Sequence, residues 1–288
     1  ILDADNVPRR RFYEVQRFFN EVRPYESVLT TPVHSDAAIL YDYDSLSSFR
    51  IQQQSLLLDC ETEMKRLHGI LFRAGKSVDV IPASRDFSGY RLVIIPNMIV
   101  TDPGFTDRLK AYVAGGGVAV VTYRTAVKDR DNNLVFGKTI PVDLCDLLGL
   151  FVEETESVQE YHCIPLAGET GSGSAGIFRD MIVPQGAQTL WRYDDPFYRR
   201  YAAITRNSWG KGTVYYVGTT PDQAILNRVI GQAMEAAGLE SLALPDGVES
   251  VVRGSGEARV RILLNHNETT VCALGQELAP FQVKVLPL

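Results

Sequence analysis

YRLVIIPNMIVTDPGFTDRLKAYVAGGGVAVVTYRTAV, residues 90–127, decides the fold. Leu92-Val93-Ile94-Ile95 is a short unbroken apolar run, the mark of a strand buried on both faces. Asp102 can cap a helix whose first position is Pro103, where the missing N–H of proline is no loss. Phe105, Leu109, Tyr112 and Val113 fall on one face of that helix. Gly115-Gly116-Gly117 stops it, because glycine enters the left-handed cap conformation freely. Val118-Ala119-Val120-Val121 is a second buried strand. The unit reads as βαβ, with parallel strands and a right-handed crossover. Neither cysteine nor serine stands where the second strand ends, at Thr122-Tyr123-Arg124-Thr125.

Working back towards the start, Val78-Asp79-Val80-Ile81 reads as a strand, and residues 37–41 as another, buried one. Between them Leu57, Cys60, Met64, Leu67 and Leu71 mark a helix that stops at Gly75. Asp42-Tyr43-Asp44-Ser45 and Gln52-Gln53-Gln54 are expected to form a loop. The link from Ile81 to Arg91 is short for a parallel crossover, so one tight helical turn is expected over residues 85–89. Phe12, Val15, Phe19 and Val22 give an earlier amphipathic helix that ends before Pro24, and the residues after it, with Pro24 and Pro32, read as linker.

Working forward, Asp131-Asn132-Asn133 reads as a turn, and residues 142–148 as a short helix stopped by Gly149. From 151 to 217 the pattern is mostly strands, with a flexible glycine- and serine-rich loop expected over 168–176. Residues 201–206 and 213–217 form a hairpin around Ser208-Trp209-Gly210-Lys211-Gly212. Residues 222–237 are a helix between Pro221 and Gly238, and the tail from 248 reads as a small all-β module. The expected fold class is α/β, with a doubly wound, mostly parallel sheet followed by that small β domain.

Composition narrows the function classes. The 288 residues are 45% apolar and 22% charged, an ordinary globular profile. A net charge of −6 without a basic run gives no electrostatic case for nucleic acid or an anionic membrane. No stretch reaches the roughly 18 apolar residues of a membrane helix. Cys60, Cys145, Cys163 and Cys272 are scattered, which indicates neither a disulfide framework nor a zinc site, and points to a reducing, cytoplasmic setting. Ile1 is not a methionine and a helix follows almost at once, as in a piece cut from something longer.

Candidate chemistry is thin. The doubly wound half resembles the scaffold of class I glutamine amidotransferases, whose cysteine nucleophile sits on a strand-to-helix elbow and needs a histidine base. Here the elbow is Tyr123-Arg124-Thr125, and His34, His68, His162 and His266 lack the order of a Cys–His pair. Asp42, Asp44 and Arg50 lie beyond the first strand, and Arg124, Asp129 and Asp131 beyond the fourth, at the sheet edge where α/β proteins bind ligands. The plainer reading, loops that cap helices or meet another subunit, is favoured. Trp191, Trp209, Tyr198 and Tyr201 could stack on sugars or simply pack a hairpin rim, while Asn265-His266-Asn267 reads as a turn between strands. The 168–176 loop lacks the Gly-Lys-Ser/Thr ending of a phosphate loop.

The motifs in order resemble family 42 glycoside hydrolases, the microbial β-galactosidases. Residues 2–12 (LDADNVPRRRF) resemble the end of that family's barrel. Residues 38–45 (AILYDYDS), 118–127, 146–150 (DLLGL) and Val152-Glu153-Glu154 resemble its middle domain. Gly210-Lys211-Gly212, residues 215–219 and Leu263-Leu264-Asn265-His266 resemble its later part. The resemblance implies residues 1–24 as the last loop and helix of a (β/α)8 barrel, 25–36 as linker, 37–240 as an amidotransferase-like trimerisation domain and 241–288 as a small β domain. It also implies a homotrimer that hydrolyses terminal β-galactosides with retention, through two glutamates in a barrel of roughly 250 residues upstream of Ile1. No catalytic, cofactor or metal residue is therefore carried onto this chain, and the segment itself is expected to be inactive. Asp42, Asp44, Arg50, Tyr123, Arg124 and Asp129 are expected as interface or entrance-loop residues. The alternatives are a carbohydrate-binding module and an amidotransferase-like hydrolase.

Overall fold

The structure, a computed structural model, describes residues 2, 4–157 and 162–288. Ile1 and Asp3, within the stretch read as a barrel end, lie outside the described residues, as do 158–161 of the strand-rich region. The chain divides into two compact units, one of residues 1–34 with 243–288 and the other of 35–242.

The smaller unit begins with helix α1 (Arg10–Val22), a 3-10 turn (Arg23–Tyr25) and the short α2 (Glu26–Leu29). The stretch expected as linker is therefore partly helical. No residue of α1 is buried; of its apolar stripe Phe12, Val15 and Val22 are half-buried and Phe19 is exposed.

The larger unit opens with β1 (Ala37–Tyr41), α3 (Tyr43–Ile51), α4 (Cys60–Arg73) and β2 (Val78–Pro82), followed by β3 (Leu92–Ile95), α5 (Pro103–Ala114) and β4 (Val118–Thr122). The quoted stretch folds as its punctuation dictates. The Asp102 carboxylate accepts from Gly104 N–H, Pro103 takes the first turn, and Gly116 leaves the helix at φ +117°. Beyond it lie α6 (Cys145–Leu148) and a run of strands: β5 (Leu150–Ser157), β6 (Ile164–Gly168), β7 (Gly171–Pro184), β8 (Gln188–Tyr193), β9 (Ala202–Trp209), β10 (Gly212–Val217) and β11 (Thr219–Pro221). Helix α7 (Gln223–Ala236) closes the unit, with Asp222 capping Ile225 N–H.

These strands form one mixed eleven-stranded sheet, ordered β11-β7-β6-β8-β9-β10-β4-β3-β1-β2 with β5 beside β7. Parallel pairing runs only through β10, β4, β3, β1 and β2, and the other pairings are antiparallel. The expectation of a mostly parallel sheet is corrected accordingly. Helices α4 and α7 cover one face and α5 and α6 the other, each over its own apolar cluster.

Three local expectations also change. Residues 43–51 are helix rather than loop, because Asp42 accepts from Ser45 N–H at 2.8 Å and starts a turn. The 85–89 link is not helical. Asp86 accepts from the N–H and hydroxyl of Ser88, which makes a side-chain-closed turn, and Phe87 is buried against Phe105 and Tyr112. The glycines of 168–176 do not make a loose loop but a β6–β7 hairpin. They are needed for close approach: a Cβ on Gly168 would overlap Trp191 and the carbonyl of Leu190, and one on Gly173 would overlap Asp222 and Ile225.

The rest of the smaller unit is β12 (Val248–Arg253), a 3-10 turn (Gly256–Ala258), β13 (Val260–Asn265), β14 (Val271–Ala273), β15 (Gln276–Leu278) and β16 (Val283–Pro287). Val248, Leu263, Ala273 and Leu278 are its core. The amide of Asn265 donates to the carbonyls of Thr269, Leu278 and Ala279, and His266 pairs with Glu249 at 3.0 Å, so this turn is structural. The Arg253 guanidinium donates to the carbonyls of Leu29 and Thr31, and His34 N–H to Val252 O, tying the two ends of the chain together within this unit.

Candidate functional site at the carboxyl edge of the sheet

Beyond β4 the chain does not enter a helix. Arg124 and Ala126 take left-handed backbone conformations at φ +62° and +56°, so the segment folds back alongside residues 97–101. Ala126 N–H donates to Met98 O, Val127 N–H to Ile99 O, and Thr101 N–H to Lys128 O. Asn97 N–H donates to Thr122 Oγ1 at 2.9 Å, and Val100 N–H to Ser45 Oγ at 3.0 Å. The two loops and the start of α3 thus share one network, which begins at the Asp42 carboxylate.

The structure sorts the expected site residues into different roles. Asp42 is the cap of α3, while Asp44 and Arg50 are exposed on that helix. Asp129 closes a turn, accepting from Asp131 and Asn133 N–H. Tyr123 is buried and stacks on Phe178 with ring centroids 5.3 Å apart, so it is a packing residue and not an exposed contact. Asp131 is exposed.

Arg124 is 8% exposed. Its main-chain N–H reaches Asp180 Oδ2 at 3.4 Å, but among the described residues its side-chain Nε has no acceptor. Asp180 is wholly inside, and its carboxylate accepts from Tyr216 OH at 2.6 Å and Thr155 Oγ1 at 2.8 Å. Burial pushes the Arg124 guanidinium below its ordinary pKa, and Asp180 partly offsets that.

Lys128, 2% exposed, lies close enough to Arg124 to feel its charge. Its Nζ donates to Gln52 Oε1 at 2.8 Å, Asn132 Oδ1 at 3.0 Å and Ser48 Oγ at 3.3 Å. All three acceptors are neutral. Burial, and then the Arg124 charge, depress its pKa. Lys128 and Asp180 are the residues that sequence reasoning missed. The one usable signal was Arg179-Asp180, a charged pair inside the apolar run of β7.

The nucleophile candidates point away from catalysis. Burial pushes the Cys60 thiol up to about 12 and the Cys145 thiol up to about 11, the reverse of an activated cysteine. Trp191 and Tyr201 are in the core, with the Trp191 indole N–H donating to Gly171 O, while Tyr198 and Trp209 are half-buried. Among the described residues no cluster of His, Cys, Asp or Glu could hold a metal, and no helix is long and apolar enough to cross a membrane.

Residues 35–240 match the sequence family described as the beta-galactosidase trimerisation domain. The chain belongs to that family. Among curated proteins it is 30% identical over 280 residues to beta-galactosidase BgaA of Clostridium cellulovorans, which spans 96% of this chain and 42% of that protein. It is 27% identical over 271 residues to beta-galactosidase BgaP of a Planococcus species, spanning 88% of this chain and 40% of that protein. The chain therefore spans about two fifths of the length of the curated relatives it matches. Among solved structures, a beta-galactosidase from Bacillus circulans sp. alkalophilus superposes with a TM-score of 0.89 at 25% identity, over 99% of this chain and 46% of that one. A beta-galactosidase from the haloarchaeon Halorubrum lacusprofundi gives 0.86 at 26%, over 99% and 44%.

Proposed function

We propose that this chain is the C-terminal portion of a retaining β-galactosidase and that its own work is self-association into a homotrimer. The observation that carries the reading is the match of residues 35–240 to a trimerisation domain, within relatives more than twice as long. On this reading the two carboxyl groups that a retaining glycosidase holds about 5–5.5 Å apart belong to an upstream barrel. Residues 1–24 are then the last loop and helix of that barrel, and the exposed Tyr13, Phe18 and Phe19 of α1 support this. The exposed Asp44 and Arg50 of α3, with the Asp129 turn, belong to loops that meet a neighbouring subunit or shape its active-site entrance.

The finer likeness to the amidotransferase scaffold rests on the parallel strands β10, β4, β3, β1 and β2 and on the left-handed Arg124, which stands where an elbow nucleophile would. We read it as a scaffold whose own catalytic position is occupied by packing and charge. Four scattered free cysteines favour the cytoplasm. Sedimentation of the chain and of the complete enzyme tests the proposal. A trimer for the complete enzyme supports it, and monomers for both overturn it. Turnover of a chromogenic galactoside by this segment alone would overturn its non-catalytic role.

A further inference from the structure

At the carboxyl ends of β4 and β10, where open α/β sheets hold their ligands, the larger unit keeps a small cavity. Its walls include Glu63 and Leu67 of α4, Tyr123 just past β4, Val217 at the end of β10 and Leu226 of α7. The room it leaves for a water-sized sphere is about 10 Å³. One water needs roughly 10–15 Å³ by that measure, so a sugar, a nucleotide or an acyl group is far too large.

Two buried hydroxyls meet here. Tyr123 is 2% exposed, and Thr220, which stands between the lining residues Thr219 and Pro221, is 6% exposed. Among the described residues neither hydroxyl has a hydrogen-bond partner. The side chains of Thr220 and Asn97 come close enough to act on the Tyr123 hydroxyl, yet neither bonds it. A buried hydroxyl without a partner is costly and rare. Glu63 brings an acceptor to the same place and also acts on Tyr123. Its two carboxylate oxygens accept from Arg66 at 2.8 Å and 3.1 Å and keep lone pairs to spare. Arg66 donates in turn to Pro221 O, so it bridges two walls of the cavity.

We infer that this cavity binds one ordered water, which accepts from the Tyr123 and Thr220 hydroxyls and donates to the Glu63 carboxylate. Three polar partners in a space of that size are what a buried water requires. A charged occupant does not suit the site, because Glu63 is already matched by Arg66. The water ties α4 to the chain just past β4 and to β11 ahead of α7. It also gives the Tyr123 hydroxyl a use in a core position that phenylalanine would fill as well. The inference is independent of the trimer reading.

A crystal structure of the full-length protein, at a resolution that shows ordered waters, tests it. The expected result is a single peak within hydrogen-bond distance of both Tyr123 Oη and Thr220 Oγ1. A direct bond from Tyr123 to Thr220 or Asn97 with no such peak overturns the inference, and so does density larger than a water. Magnetic relaxation dispersion of the solvent counts long-lived internal waters in solution. The double variant Tyr123→Phe/Thr220→Val, which nearly keeps the side-chain volumes, should hold one such water fewer than the wild type, and equal counts would overturn the assignment. Should the double variant fail to fold, the wild-type crystal structure alone decides.

Discussion

Asp180 is the carboxylate that makes a buried Arg124 tolerable, and it is held by Tyr216 and Thr155 rather than by the guanidinium itself. Removing it leaves a desolvated cation without a counter-charge. Asp180→Ala is therefore expected to destabilise the chain by about 3–5 kcal/mol, and Asp180→Ala with Arg124→Met by clearly less than the sum of the two single losses. Urea unfolding of the four proteins measures the coupling, and additive losses would sink the pairing. Lys128 gives a pH signature. Its folded-state pKa lies below the ordinary 10.5, so between those values the folded chain binds fewer protons than the unfolded one. Stability then rises with pH across that window as the buried charge is relieved. Denaturation followed as the pH is raised towards 10.5 should show this gain in the wild type and its absence in Lys128→Met. Neither role was legible beforehand. A lone lysine after Ala126-Val127 looks like any loop cation, and burial depends on Ser48 and Gln52, brought in from elsewhere in the chain.

Elements were legible where punctuation and periodicity agreed. The Asp102-Pro103 start and the triple-glycine stop placed α5, and Asp222 placed α7. Helix α3 was missed because Phe49 is the one apolar residue it buries, beside Ser45 and Ser48, and its start signal, Asp42 with Ser45, also reads as a turn. The β6–β7 hairpin was missed because glycine forced by close packing looks the same in sequence as glycine in a loose loop. The same distinction yields a paired prediction. A Cβ on Gly212 would overlap the carbonyl oxygens of Val113 and Gly117, so Gly212→Ala should cost about 1–3 kcal/mol. Gly231, inside α7, has open space around it, and Gly231→Ala should stabilise by about 0.5–1 kcal/mol. Thermal melts of the two variants should move in opposite directions. For α1, Phe19→Ser should change the stability of this chain by less than about 0.5 kcal/mol, because Phe19 is 63% exposed. In the complete enzyme, with a barrel against that stripe, the same change should cost about 3–5 kcal/mol.

At the scale of the whole molecule, the two ends of the chain belong to one unit and its middle to another. The sequence could show the all-β tail but not its tie to residues 29–34, since the contacts of Arg253 with Leu29 and Thr31 span more than two hundred positions and leave no local pattern. The mixed sheet was hidden for a similar reason. Each antiparallel strand alternates or runs apolar on its own, and only the register decides that β9 pairs with β10 while β10 pairs with β4. The division has an energetic consequence. The two large apolar clusters, one on each face of the sheet, lie wholly within residues 35–242, whereas the tail's core comprises Val248, Leu263, Ala273 and Leu278 with a few half-buried neighbours. A core that small rarely outweighs chain entropy alone. Residues 35–242 expressed by themselves should melt in one cooperative transition close to that of the intact chain, while residues 243–288 by themselves should show no transition. Circular dichroism melts of the two pieces decide it, and a folded tail with an unfolded middle would reverse the assignment of which unit stands on its own.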